Sequence, residues 1–340
     1  MAEAMDLCVA CKGCKRECEA NVDMALIKAE YLAQHAAHSG LSLRGRLFAH
    51  LPRWLHRSPW LKGLIRWRND SPLLARLGQR LLGIAADRPL PEPAPWPFGP
   101  EVSAARNHQT PAGDGLPEVV LFVDTFSRHF EPGIARAAVA VLRAGGYRVL
   151  IAEPLATDAE PARPLCCGRT YLAQGMVDAA REEVERLVDA LLPHVEAGRV
   201  IVGLEASCAL GLRDDARALG LNRGLNGGLS RGRGRGDALE RIACKVLLFE
   251  EFLAKELMAK RLTLPLRASD GLATLVHGHC HQKAVGATKA MRRVLKLIPG
   301  HDFSVIDAGC CGMAGTFGLE AEHAAMASAM AQLLSAALAD

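Results

Sequence analysis

The residues best equipped for chemistry lie at the start of the chain. CVACKGCKREC, residues 8–18, spaces four cysteines as C-x2-C-x2-C-x3-C. In such a run Cys8, Cys11 and Cys14 wrap one face of an iron–sulfur cube, and the fourth cysteine, Cys18, belongs to a second cluster. One run therefore supplies three ligands to one [4Fe–4S] centre and one to another. A complete pair needs a second run, and this sequence has none. A zinc ion held by Cys8/Cys11 and Cys14/Cys18 and accidental clustering at a frayed terminus are the competing readings; cysteine arithmetic favours iron–sulfur over both. Glu19 stands where a proline usually follows such a run. Lys12, Lys15 and Arg16 lie among the ligands. They either offset the cluster's negative charge or form a solvated face.

A second set of thiols is written into an internal repeat. One stretch runs VVLFVDTFSRHF, a helical pattern, YRVLIAE, then Leu165-Cys166-Cys167-Gly168. The other runs ATLVHGHCHQKA, a helical pattern, DFSVIDA, then Gly309-Cys310-Cys311-Gly312. Each half is strand, helix, strand, CCG, and such self-similarity outweighs any single motif. Ligands bind outside the carboxyl ends of strands in open α/β sheets, and glycine after paired cysteines permits a tight turn there. The second half adds Cys280 directly after its first strand, where the first half has Phe126 or Ser127. The first half continues through a third strand to Glu205-Ala206-Ser207-Cys208, a segment with no counterpart after Cys311.

Topology thus brings Cys166, Cys167, Cys208, Cys280, Cys310 and Cys311 together as candidate ligands. His277, His279 and His281 alternate around Cys280. We read them, with Glu205, as hydrogen-bonding groups or proton carriers beside the thiolates in preference to metal ligands. Cys244, among Leu239, Ile242, Val246, Phe249 and Leu253, is expected on a helix as a buried small hydrophobe.

The elements that must position these groups follow from the pattern. Asp23 can cap a helix on which Met24, Ile27, Tyr31 and Leu32 recur. Residues 41–86 read as short helices, broken at Pro52, Pro59 and Pro72, with Trp54, Trp60 and Trp67 among Arg53, Arg57, Lys62 and Arg66. That mixture suits either a membrane-surface helix or helices packed on the protein, and the proline breaks favour packing. Residues 87–117 form a proline-rich linker. Beyond it, strands at 119–124, 147–153, 199–205, 273–279 and 302–308 alternate with helical patterns near 131–145, 174–197, 237–260, 284–298 and 318–338. The class is α/β: an N-terminal all-α ferredoxin-like cluster segment, then two repeated α/β CCG units with mostly parallel sheets. The division expected is 1–40, 41–117, 118–260 and 261–340. The stretch 222–236, rich in glycine and arginine, reads as a surface insertion.

Composition sets the bounds. The 340 residues are half hydrophobic and carry a net charge of +4, which argues for no nucleic-acid partner. Eleven cysteines, two pairs of them adjacent, point to metal ligation in a reducing compartment. No signal peptide or membrane-spanning run is recognisable, so the expected location is cytoplasmic, or peripheral at the inner face of a membrane.

CVACKGCKRECEANVDMALIKAEYL, the two CCG triplets and HGHCHQKA with CCGMAGTFGLEAEH resemble the iron–sulfur region of FAD-linked oxidases. That family includes D-lactate, glycolate and D-2-hydroxyglutarate dehydrogenases. The CCG repeat is also similar to the CCG-bearing subunit of heterodisulfide reductase and to the glycolate oxidase iron-sulfur subunit. The resemblance implies ferredoxin-type ligands at Cys8, Cys11, Cys14 and Cys18. It implies cluster ligands at the six CCG-repeat cysteines. It also implies FAD on a partner or missing domain, and a quinone or carrier protein as acceptor. The departures are the missing flavin domain, first ferredoxin run, leading cysteine of the first CCG half and terminal cysteine segment. They make the chain look like the C-terminal part of a larger oxidase. The function expected is an electron-transfer module. The alternatives are a heterodisulfide-reductase-like catalytic site and a degenerate or zinc-binding structural fragment.

Overall fold

A computed structural model describes residues 2–58, 60–99, 115–220 and 233–339. The chain forms two compact units that interleave in sequence. The first comprises Met1–Glu92, Thr170–Val177 and Arg267–Asp340; the second comprises Pro93–Arg169 and Asp178–Leu266.

The first unit opens with seven helices: α1 (Ala2–Asp6), α2 (Gly13–Glu17), α3 (Met24–Ser39), α4 (Leu43–Ala49), α5 (Leu51–Arg57), α6 (Leu61–Asp70) and α7 (Pro72–Leu82). Their boundaries follow capping chemistry. The Asp23 carboxylate accepts from the Ala25 and Leu26 N–H groups at the start of α3, and Ser42 and Ser71 do the same for α4 and α7. Such caps satisfy donors that a helix leaves open. Pro52 and Pro72 sit in first turns, where the missing N–H costs nothing. Pro59, also expected as a break, lies outside the described residues.

The second unit carries β1 (Glu118–Phe122), α8 (Thr125–His129), α9 (Pro132–Ala144) and β2 (Arg148–Ile151). Next come α10 (Arg169–Leu172, at the unit boundary), α11 (Val177–Glu196), β3 (Val200–Gly203) and α12 (Ala206–Arg213). The unit ends with α13 (Asp215–Ala218), α14 (Arg233–Ala243), β4 (Val246–Leu248) and α15 (Phe249–Met258). The four strands form one sheet in the order β2-β1-β3-β4, and every pairing is parallel. Val119 to Phe122 of β1 are buried, as a strand covered on both faces requires. On α11 the buried Ala180, Val184, Leu187, Val188 and Leu191 recur at helical spacing, each large aliphatic contributing about 1.5–3 kcal/mol by leaving water.

β4 departs from the pattern read in the sequence. Residues 237–260 are not one helical stretch, because β4 interrupts them and adds the fourth strand to the sheet. Cys244 consequently lies in the turn between α14 and β4, where Lys245 N–H bonds Ile242 O, and its side chain is exposed instead of buried. The glycine–arginine stretch expected at 222–236 falls largely outside the described residues.

The first unit resumes with β5 (Thr274–Val276), α16 (Cys280–Val285), α17 (Thr288–Leu295) and β6 (Phe303–Val305), and closes with α18 (Ala324–Ala339). β5 and β6 pair in parallel. A 3-10 turn, Phe317–Leu319, precedes α18. Ala85 N–H donates to Leu319 O and Ala321 N–H to Gly83 O, tying the end of α7 to this turn. The repeat is visible in the elements. Each half runs strand, short helix, longer helix, parallel strand, CCG, short helical turn, long helix. No helix among the described residues is long and apolar enough to cross a membrane.

Candidate thiol sites

Both CCG triplets are held the same way. Gly168 has φ +77° and Gly312 has φ +83°, the left-handed region where a side chain is strained. A Cβ on Gly168 would stand 2.6 Å from Ala180 O on α11. A Cβ on Gly312 would collide with Ala327 O on α18. Each glycine therefore lets its cysteine pair turn directly against the backbone of the long helix that follows.

In the second unit this turn aims thiols at α12. Cys167 Sγ lies 3.0 Å from Cys208 Sγ, and Cys166 in turn hydrogen-bonds Cys167. Cys166 and Cys208 are buried. The hydrogen bond to Cys167, together with burial, holds the Cys166 thiol far above its ordinary pKa. At Cys167 the bond from Cys166 favours the thiolate, but the bond it gives to Cys208 and burial outweigh it. At Cys208 the bond from Cys167 likewise favours the thiolate, and burial with the charges of Glu205 and Asp124 outweighs that. As bare thiols the three are neutral, and they sit beside two carboxyl groups.

Those carboxyl groups are fixed by backbone. Glu205 caps α12, its Oε2 accepting from Cys208 N–H at 2.7 Å and from the Ser207 hydroxyl at 2.5 Å. Asp124 caps α8, its Oδ1 accepting from Phe126 and Ser127 N–H at 2.8 and 3.0 Å. Asp124 is 1% exposed, and its buried Oδ2 has no hydrogen-bond partner among the described residues. An orphaned buried carboxylate oxygen is costly. Burial accordingly raises the Asp124 pKa, against the hydrogen bonds from Ser127. The sequence pattern did not single out Asp124; its only signal was an acid closing the run VVLFVD. At the first position of α8, where α16 has Cys280, the first half has Thr125.

In the first unit the amino-terminal run docks on the Cys280 helix. Arg16 Nη1 donates to Lys283 O at 2.6 Å, and His281 Nε2 lies 3.1 Å from Ala10 O. Ala10 (φ 51°) and Lys12 (φ 63°) are both left-handed, the strained loop backbone that clusters at functional sites. Cys280 hydrogen-bonds Cys310, and that bond, burial and the nearby charges of Cys310, Cys11 and Cys311 push its thiol well up. Cys310, receiving that bond and a Gly312 N–H at 3.4 Å, is held at about 6. Cys18, at the far end of the run, has its thiolate favoured by the N–H groups of Val22, Ala20 and Asn21.

The remaining groups take supporting places. His277 Nε2 lies 2.9 Å from Gly309 O. His279 caps α16, its Nδ1 accepting from His281 N–H at 3.1 Å. Lys283 Nζ, unflagged by the sequence, donates to Ala308 O at 2.6 Å just before the CCG. Lys12 is buried against Asp23 at 2.9 Å, with Lys15 at 3.5 Å, so Lys12 is no part of a solvated face.

The six repeat cysteines are shared three and three between the units. Among the described residues no three of the thiols lie within 4.8 Å of one another. Three sulfurs on one zinc ion, each at about 2.3 Å, would stand about 3.8 Å apart. The donor set is thiol-rich, free of disulfides, and suited to soft metals.

The fold and these sites define a two-unit, cysteine-rich α/β protein with a duplicated thiol frame. Several proteins it is similar to are dehydrogenases or their subunits by name. The chain is 27% identical over 209 residues to a subunit of the anaerobic glycerol-3-phosphate dehydrogenase of Escherichia coli (strain K12), covering 61% of this chain and 46% of that one. It is 22% identical over 329 residues to D-2-hydroxyglutarate dehydrogenase of the same strain, covering 94% and 29%. It is 24% identical over 206 residues to lactate utilization protein A of Bacillus thuringiensis (strain Al Hakam), covering 60% and 75%. The matches span less than half the length of the first two relatives. These relatives bear out the resemblance to the cysteine-rich region of FAD-linked hydroxyacid dehydrogenases and point to an oxidoreductase-related module. No family model matches the chain, and no solved structure does.

Proposed function

We propose that the chain is an iron–sulfur electron-transfer module of a dehydrogenase complex, taking electrons from a flavin-bearing partner and delivering them to a quinone or carrier protein. The observation that carries this reading is the duplicated CCG turn, wedged by Gly168 and Gly312 and presenting thiols in each unit. In the first unit the ligands would be Cys8, Cys11, Cys14, Cys18, Cys280, Cys310 and Cys311. In the second they would be Cys166, Cys167 and Cys208, with Asp124 Oδ2 available as an oxygen donor.

The residues present fit such groups. The donor set is thiol-rich and free of disulfides, which suits soft metals and iron–sulfur clusters. The buried thiols stand beside the Asp124 and Glu205 carboxyl groups, and N–H groups already point at Cys310 and Cys18. Clusters bound here would supply one-electron carriers whose potential such N–H donors tune. Oxidation of a 2-hydroxy acid would belong to the flavin, outside this chain.

The test is electron acceptance. The anaerobically purified chain is mixed with photoreduced FAD and then with menadione, and its visible absorbance is followed. Bleaching by the flavin and recovery with the quinone are expected. A colourless chain, or one that exchanges electrons with neither, contradicts the proposal.

A further inference from the structure

Helices α4 to α7 carry a charge that the rest of the chain does not. Residues 41–82 hold nine lysines and arginines against one acid, Asp70, a net +8, whereas the whole chain is +4. On this basic stretch large apolar side chains face solvent. Trp60 at the cap of α6, and Leu64 and Trp67 along it, recur at i, i+4 and i+7, with Trp60 65% and Trp67 62% exposed. Leu73, Leu77 and Leu81 recur at i, i+4 and i+8 along α7, with Leu73 77% and Leu81 69% exposed. Leu43, Leu47 and Trp54 add exposed apolar surface on α4 and α5. Arg46, Arg57, Arg66, Arg76 and Arg80 are exposed beside them.

The rotation of these helices is set by the protein. Arg68 donates to Ala85 O and Arg88 O, Asn69 donates to Leu90 O, and Ala75 is buried. The apolar stripes are thus the faces left over once the inward contacts are made. The helices pack as the sequence led us to expect, burying Ala49, Leu55 and Ala75, but packing leaves these outward faces uncovered. Proteins rarely expose apolar surface on this scale without a partner.

We propose that the outward faces of α6 and α7, extended by α4 and α5, dock on an anionic lipid surface. Charge complementarity selects this occupant. Arginines flanking a stripe of tryptophan and leucine match acidic headgroups over acyl chains, and tryptophan sits at the depth where the two meet. At 11 residues or fewer, each helix is about 16 Å long at most. None can cross a core of about 30 Å, so they lie in the plane of the surface. The proline-led start of α7 is then no obstacle. This inference is independent of which metal the thiols hold.

The test uses the full chain with phosphatidylcholine vesicles, with and without phosphatidylglycerol, read by co-sedimentation and tryptophan fluorescence. Binding that requires phosphatidylglycerol, shifts the emission to the blue and weakens with salt is expected. Each basic residue at such a surface changes binding about fivefold, so Arg76→Glu with Arg80→Glu should lower it at least tenfold. Trp60→Ser with Trp67→Ser should do the same, with unchanged circular dichroism. No partitioning, or partitioning indifferent to these substitutions, overturns the proposal. So does loss of a dimer in size-exclusion chromatography with no vesicle binding, which would make the face a contact between copies of this chain.

Discussion

Cys167 Sγ lies 3.0 Å from Cys208 Sγ although 41 residues separate them. The Gly168 turn against α11 brings one in, and the Glu205-capped start of α12 brings the other. If these thiols are ligands, Cys208→Ser should lower the iron bound per chain and leave the first unit's share in place. Cys244→Ser, at an exposed turn, should leave iron unchanged. Metal analysis of the two variants against the parent checks both.

The glycine wedges should be intolerant. Gly168→Ala and Gly312→Ala each combine a left-handed φ with a collision against helix backbone, and the strain alone is about 1–3 kcal/mol. Each variant should lose at least about 2 kcal/mol in urea unfolding. Gly133→Ala, with open space around its Cα and an ordinary helical position, should lose nothing.

A buried ion pair braces the approach to the first CCG. Arg163 Nη1 and Nη2 both lie 2.9 Å from the Glu183 carboxylate, and both side chains are buried. Glu183→Ala leaves the guanidinium buried without its main counter-charge, which should cost about 3–5 kcal/mol. Chemical unfolding of the variant measures it.

One pH dependence has a definite sign. Arg261 hydrogen-bonds Glu256, and Tyr147 donates to the same carboxylate at 2.6 Å; both lower the Glu256 pKa below its ordinary 4.5. A depressed carboxylate stabilises the fold above its unfolded pKa and loses that contribution as pH falls through the folded one. Glu256→Gln should therefore be about 2 kcal/mol less stable at neutral pH. The gap should close below about pH 4.5, as parallel denaturation curves would show.

Much of this was legible in the sequence. The β-branched runs around Val120 and Val202 declared their strands because burial on both faces leaves no polar alternation to confuse them. β4 did not, since three residues, Val246–Leu248, cannot interrupt a helical pattern visibly, and Cys244 was misplaced with it. The CCG glycines announced a special backbone. The neighbourhood of Cys11 and Cys280 was not readable, because it rests on the docking of α2 against α16 across most of the chain. Asp124 gave no signal beyond an acid closing the run VVLFVD; only the structure shows its second oxygen without a partner among the described residues and its charge acting on Cys208.

What the thiols hold decides whether the chain can carry electrons. Iron and acid-labile sulfide should be measured on the anaerobically purified chain, with low-temperature EPR after dithionite. At least about four irons per chain are expected, with matching sulfide and a reduced-cluster signal. Stoichiometric zinc, or no metal at all in a folded chain, would contradict the proposed function.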